Sequence, residues 1–127
     1  MSTKKIIETK SAPAPIGPYS QAVQVGNLLF CSGQIAIDPA TNQVLTGSVT
    51  EQAVQVMKNI DAVLKQAGAT FQNVIKTTIY LTDMKDFPAV NEVYGSHFKT
   101  LPPARSTVAV AGLPKGVQVE IEVTAAL

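Results

Sequence analysis

The chain has 127 residues, with nine lysines and one arginine against nine acids, for a formal charge of +1. One domain fits that length, and the charge balance argues against nucleic acid or an anionic membrane surface as the main partner. Charged residues make up 15% of the chain, against about 25% in an average soluble domain, so part of the surface is expected to be hidden against another subunit.

The start, Met1-Ser2-Thr3-Lys4-Lys5, has a basic tip but no apolar run of signal-peptide length. No stretch of about 18 apolar residues follows, so no membrane span and a cytoplasmic location are expected. Lys4–Thr9 reads as a short strand. Ser11–Tyr19 carries Pro13, Pro15, Gly17 and Pro18 and reads as a stiff loop, neither helix nor central strand. Gln21–Val25 and Leu28–Ser32 flank Gly26-Asn27, the signal of a tight hairpin. Gln34–Ile37 reads as extended and Asp38–Gln43 as a surface turn.

Ser48 and Glu51 have the spacing of a capping box. The apolar positions that follow, Ala53, Val56, Met57, Ile60, Val63, Leu64 and Ala67, have a 3.6-residue period, and Gly68 ends the helix. Val74–Thr82 alternates as a strand, with Ile75, Thr77, Ile79 and Leu81 on one face. Asp86 is placed to cap a second helix, with Pro88 in its first turn. Phe87, Val90, Tyr94 and Phe98 form its apolar stripe, and Asn91 falls on the same stripe. Leu101-Pro102-Pro103 breaks that helix. Arg105–Ala111 and Val117–Ala125 read as two last strands. Val117, Val119, Ile121 and Val123 should pack under the helices, with Gln118, Glu120, Glu122 and Thr124 facing out. There are no internal repeats and no linker, so residues 1–127 form one α+β domain. Two helices can cover only one face of a sheet of about six strands, which leaves the second face for water or another protein.

One cysteine and one histidine exclude disulfides within the chain, cysteine zinc sites and two-histidine metal motifs. No phosphate loop or nucleophile elbow is present. Cys31 reads as a buried small residue and His97 as a surface residue. Arg105, the sole arginine, opens a strand. Its planar fork suits a carboxylate held by two parallel hydrogen bonds, or equally an ion pair with Glu120 or Glu122 across neighbouring strands. Glu120 sits deep in its strand, where it is either a functional carboxylate or part of a solvated face. Asn91 must find hydrogen-bond partners and either caps a loop or lines a pocket. Tyr19 either presents its hydroxyl to a pocket or anchors its own loop. Gly33, after Ser32, permits a close backbone approach.

These residues fall in segments that resemble the YjgF/RidA family along nearly the whole chain. They are Ile16-Gly17-Pro18-Tyr19-Ser20-Gln21, Ser32-Gly33-Gln34, Val74-Ile75-Lys76-Thr77-Thr78, Phe87 to Tyr94 around Asn91, Pro103-Ala104-Arg105-Ser106-Thr107-Val108, Leu113-Pro114 and Val119-Glu120-Ile121-Glu122. The resemblance implies a chorismate-mutase-like two-layer fold, a mixed sheet with two helices on one face, assembled as a homotrimer with clefts between subunits. It implies hydrolysis of 2-aminoacrylate, 2-iminopropanoate and 2-iminobutanoate to ammonia and the 2-keto acid, protecting pyridoxal-phosphate enzymes. Arg105 and Glu120 would be catalytic, with Tyr19, Ser32, Gly33, Asn91, Arg105 and Thr107 binding the substrate, and neither metal nor cofactor required. Thr107 stands where many family deaminases have cysteine. It keeps the main-chain groups and offers a hydroxyl in place of a thiol. The alternative within the family is a ligand-binding regulator, chaperone or ribonuclease-type translation inhibitor without imine turnover.

Overall fold

A computed structural model describes residues 3–127; Met1 and Ser2, the first two residues of the basic tip, lie outside the described residues. The strands are β1 (Lys5–Ile7), β2 (Ala22–Val25), β3 (Leu28–Cys31), β4 (Ile37–Asp38), β5 (Gln43–Val44), β6 (Val74–Leu81), β7 (Ala104–Ala109) and β8 (Val119–Ala126). The helices are α1 (Val49–Gln66) and α2 (Phe87–Gly95). Six strands form one mixed sheet in the order β1-β2-β3-β8-β6-β7, and β4 with β5 makes a separate small ribbon. The β6–β7 pair is parallel, which requires the crossover that α2 supplies. The other pairs in the sheet are antiparallel.

The hairpin forms as the sequence indicates, with Val25 opposite Leu28 and Gly26 at φ +58°. Ser48 caps α1 by accepting from the Glu51 N–H at 3.2 Å. Beyond Ala67, Gly68 takes φ +78° and lets the Ala69 N–H reach back to the Leu64 carbonyl. Val56, Met57, Ile60, Val63 and Leu64 of α1 are buried with Val119, Ile121, Val123 and Ala125 of β8 in one core. The alternate residues Glu120, Glu122 and Thr124 are only partly covered, as their parity in β8 requires.

The expected Asp38–Gln43 turn forms, and its ends close a two-residue ladder, Ile37 with Val44 and Asp38 with Gln43. Three expectations are corrected. Ile75 does not share the buried face of β6. The register slips between Val74 and Lys76, so Val74 goes inward and Ile75 is 46% exposed. The cap ahead of α2 is Asp83, whose carboxylate accepts from the Lys85 N–H at 2.9 Å. Asp86 lies inside the 3₁₀ turn that follows and caps nothing. Finally, β7 and β8 are not neighbours. Because β6 lies between them, an ion pair of Arg105 with Glu120 or Glu122 across adjoining strands does not exist.

Strand register assigns residues to faces, because laterally paired residues point the same way. Arg105 pairs with Thr77, and Thr77 with Val123, all on the helix-covered face. Val108 pairs with Tyr80 and Tyr80 with Glu120, on the open face. Ile6, Val23, Phe30 and Thr124 form another lateral row of that open face. Phe30 is 49% and Val108 41% exposed there.

Candidate active site

Four of the sequence-predicted residues come together around one cavity. Tyr19, Ser32, Gly33 and Glu120 line a space of about 480 Å³, with Glu122 at its rim and Ile16, Ile35 and Pro114 among its apolar walls. The proline loop forms one side. Gln21, only 2% exposed, holds that loop in place. Its Oε1 accepts from the Thr9 N–H at 2.7 Å, and its Nε2 donates to the carbonyls of Thr9 at 3.0 Å and Pro13 at 2.8 Å. Loop carbonyls have no ladder to bond with, and a side-chain amide offers both donor and acceptor. The sequence signal for this role is a glutamine directly after a proline-rich segment.

The Ser32 hydroxyl donates to the Ser20 carbonyl at 2.6 Å, tying the end of the loop to the hairpin. The Tyr19 hydroxyl accepts from the Ile16 N–H at 3.5 Å while half the residue stays exposed, so the ring both closes its own loop and borders the cavity. Gly33 lets the Glu120 carboxylate lie close against the backbone: a methyl group there would overlap the carboxylate and force it to shift. Just beyond, Gln34 and Ile121 exchange backbone hydrogen bonds at 2.9 and 3.2 Å, which presses the Gly33 turn onto β8.

Glu120 is half-buried. Burial, and then the Glu122 carboxylate on the same face, raise its proton affinity above the ordinary glutamate range. Glu122 in turn accepts from the Tyr80 hydroxyl at 2.8 Å. The sequence reading assigned this tyrosine no role; strand alternation places it on the face of β6 away from Ile79 and Leu81, and the register sets it opposite Glu120.

Arg105 and Asn91 come together elsewhere. On the far margin of the sheet, Arg105 Nη1 donates to Asn91 Oδ1 at 2.6 Å, so Asn91 is engaged by a side chain and not by a loop backbone. The guanidinium carbon lies 5.2 Å from the Phe87 ring centre and 5.0 Å from that of Tyr94. β7 is the last strand, and the Val110 N–H donates to the Leu81 carbonyl at 2.8 Å. Main-chain groups alternate in direction along a strand, so those of Arg105, Thr107 and Ala109 point away from β6, into the open margin. The Thr107 side chain points the other way, toward the helix layer. Its Oγ1 is buried without a hydrogen-bond partner, so the hydroxyl expected to face a ligand is out of reach and the main chain is what Thr107 presents.

The Arg105 group and the Glu120 group therefore occupy opposite faces of one sheet. A larger open cavity of about 630 Å³, on the other side of the proline loop, contains none of the predicted residues. Burial pushes the Cys31 thiol up to about 12, which leaves it protonated and inert at neutral pH. His97 is exposed, its ring centre 4.6 Å from that of Phe71 and tilted 41° to it. Among the described residues no three His, Cys, Asp or Glu side chains are grouped to hold a metal ion, and no helix is long and apolar enough to cross a membrane.

Known proteins share this family and fold. A family described as endoribonuclease L-PSP matches residues 9–127. A curated Mus musculus protein, named 2-iminobutanoate/2-iminopropanoate deaminase, is 51% identical over 122 residues, spanning 96% of this chain and 90% of its own length. A crystal structure of a Yersinia pestis protein of the conserved Rid family superposes with a TM-score of 0.96 at 51% identity, covering 98% of this chain and all of that one. The E. coli protein TdcF, solved with bound serine, superposes with a TM-score of 0.91 at 42% identity, covering 97% and 98% of the two chains.

Proposed function

The chain belongs to the endoribonuclease L-PSP family, that of the YjgF/RidA proteins, and from that premise we propose that it hydrolyses small 2-imino acids to 2-keto acids and ammonia. The substrates would be 2-iminopropanoate, its enamine tautomer 2-aminoacrylate, and 2-iminobutanoate. These are the reactive products of pyridoxal-phosphate dehydratases, and their removal in the cytoplasm would protect such enzymes. The observation that carries this reading is Glu120, a half-buried carboxyl of raised proton affinity, bent against Gly33 in a cavity of small-molecule size.

In this reading Arg105 holds the substrate carboxylate, joined by the outward main-chain N–H of Thr107. Glu120 accepts a proton as a water oxygen bonds to the imine carbon. Glu120 then returns that proton to the nitrogen of the tetrahedral adduct, and the C–N bond breaks as the carbonyl forms. The departing ammonia carries off the former hydroxyl proton as ammonium, leaving the 2-keto acid and an ionised Glu120. An enamine is first protonated at its terminal carbon. An iminium carbon is already electrophilic, so positioning and proton transfer are the work required.

Arg105 and Glu120 face apart within one chain, so a single site needs Arg105 of one copy against the Glu120 cavity of a neighbour. A homotrimer supplies three such clefts, and the open face with Phe30 and Val108 is the apolar surface it would cover. The bound serine of the E. coli relative, a small α-carboxylate with a 2-amino group, supports the ligand class. The ribonuclease reading finds less support, because a formal charge of +1 provides little attraction for a phosphate backbone.

The test is a coupled assay in which threonine dehydratase generates 2-iminobutanoate. Adding this protein should speed formation of 2-oxobutanoate severalfold. Binding of 2-oxobutanoate without acceleration would favour the regulatory alternative, and cleavage of a test RNA without acceleration would favour the ribonuclease.

A further inference from the structure

Arg105 is held from one side, by one helix. Phe87, Asn91 and Tyr94 stand at i, i+4 and i+7 of α2, which a 3.6-residue period puts on one face. Asn91 Oδ1 takes one guanidinium N–H at 2.6 Å, and the two rings lie about a cation–π distance from the guanidinium carbon. Tyr94 is itself fixed. Its hydroxyl lies 2.8 Å from Thr77 Oγ1, and Thr77 is the residue of β6 directly beside Arg105. Tyr94 and Thr77 are 5% and 1% exposed. A closed circuit therefore runs from Arg105 on β7 to Thr77 on β6, to Tyr94 on α2, and back to the guanidinium.

A guanidinium carries five N–H donors in a planar fork. Ring contacts use none of them and Asn91 uses one. Among the described residues no other acceptor of the chain takes an Arg105 N–H, which leaves the rest for a ligand. An arginine side chain free in solvent would have to be ordered when that ligand binds. Here much of that ordering is done by the fold.

We infer that Asn91 and Tyr94 are positioning residues for Arg105. Asn91 fixes one edge of the fork and Tyr94 supports its face, so that the free donors are aimed before a carboxylate arrives, and Asn91 acts on the substrate only through Arg105. The inference rests on Arg105 being the carboxylate clamp, and it reassigns Asn91 from the direct substrate contact that the resemblance implies.

Two measurements on the intact protein test it. Because Arg105 is the sole arginine, its Nε–Hε group gives one unambiguous NMR signal, readable whether or not the protein turns anything over. In the unmodified protein that signal should report a restricted side chain. Asn91→Ala should release it, and Tyr94→Phe, which keeps the ring, should leave most of the restriction. Equal mobility in the unmodified protein and Asn91→Ala would overturn the inference while leaving the deaminase reading standing.

The second is a kinetic cycle. Asn91→Ala should lower kcat/KM for the imino acid about tenfold, mainly through KM, and cost nothing further in an Arg105→Ala background. The same loss in both backgrounds would show that Asn91 meets the substrate by itself and would overturn the inference. Full activity in Arg105→Ala would remove the clamp and the inference with it.

Discussion

Arg105 and Glu120 lie on opposite faces of the same sheet, with β6 between their strands. Neither can complete the other's chemistry within one chain. Under the proposed roles, Arg105 as carboxylate clamp and Glu120 as proton acceptor would be two half-sites, and the local features of each fit its role. On one side the guanidinium is stacked and tethered with donors to spare. On the other, a carboxyl is partly desolvated beside a second carboxyl.

Arg105→Lys should behave nearly like Arg105→Ala in the dehydratase-coupled assay. Lysine keeps the charge but loses the fork and the planar group that stacks on Phe87 and Tyr94. Recovery of most activity by lysine would show that charge alone suffices.

Glu120→Gln should lower kcat about 10²–10⁴-fold, the usual cost of a lost acid–base group, with 2-oxobutanoate binding little changed. Glu122→Gln should stay near the unmodified rate at its optimum but shift the pH profile. Burial and the Glu122 charge both raise the Glu120 pKa. Glu120 acts as a base only when ionised, so activity falls as pH drops through that pKa. Removing the Glu122 charge lowers it, and the acidic limb should move to lower pH. An unmoved limb would separate Glu120 from the observed titration.

Gly33→Ala should impair turnover more than it impairs folding, because the added methyl displaces the Glu120 carboxylate and little else. Turnover and Tm measured on the same preparation separate the two effects. Unimpaired turnover would mean the close approach is not used.

Thr107→Val replaces a buried, unpartnered hydroxyl with a methyl of the same shape. It should stabilise by about 1 kcal/mol, a rise of a few degrees in Tm, without loss of activity. Destabilisation would show that the hydroxyl finds a partner in the assembled protein.

Much of this organisation is legible in the residues. The two-residue alternation of β8 and the 3.6-residue stripe of α1 mark their buried faces, because each has one unambiguous phase. The phase of β6 is not legible at its start, since Val74 and Ile75 are both apolar and either could go inward; the bulge decides. Three aspartates, Asp83, Asp86 and Asp61, offer caps or ion pairs, and only coordinates show that Asp83 caps and Asp61 pairs with Lys65 at 2.8 Å. The candidate residues themselves stand out in the sequence. Their division into two groups does not, because it depends on β6 lying between β7 and β8. The tether from Arg105 to Asn91 joins a helix and a strand whose mutual placement no spacing along the chain encodes.

The central claim, that two chains build one site, is tested most directly by mixing two inactive variants. Arg105→Ala retains Glu120, and Glu120→Gln retains Arg105. Assembled together in equal amounts, and verified as mixed oligomers by mass spectrometry, they should regain about a quarter of the unmodified activity, since one in four subunit contacts then pairs an intact Arg105 with an intact Glu120. Activity no greater than the sum of the separate variants, in verified mixed oligomers, would contradict the account.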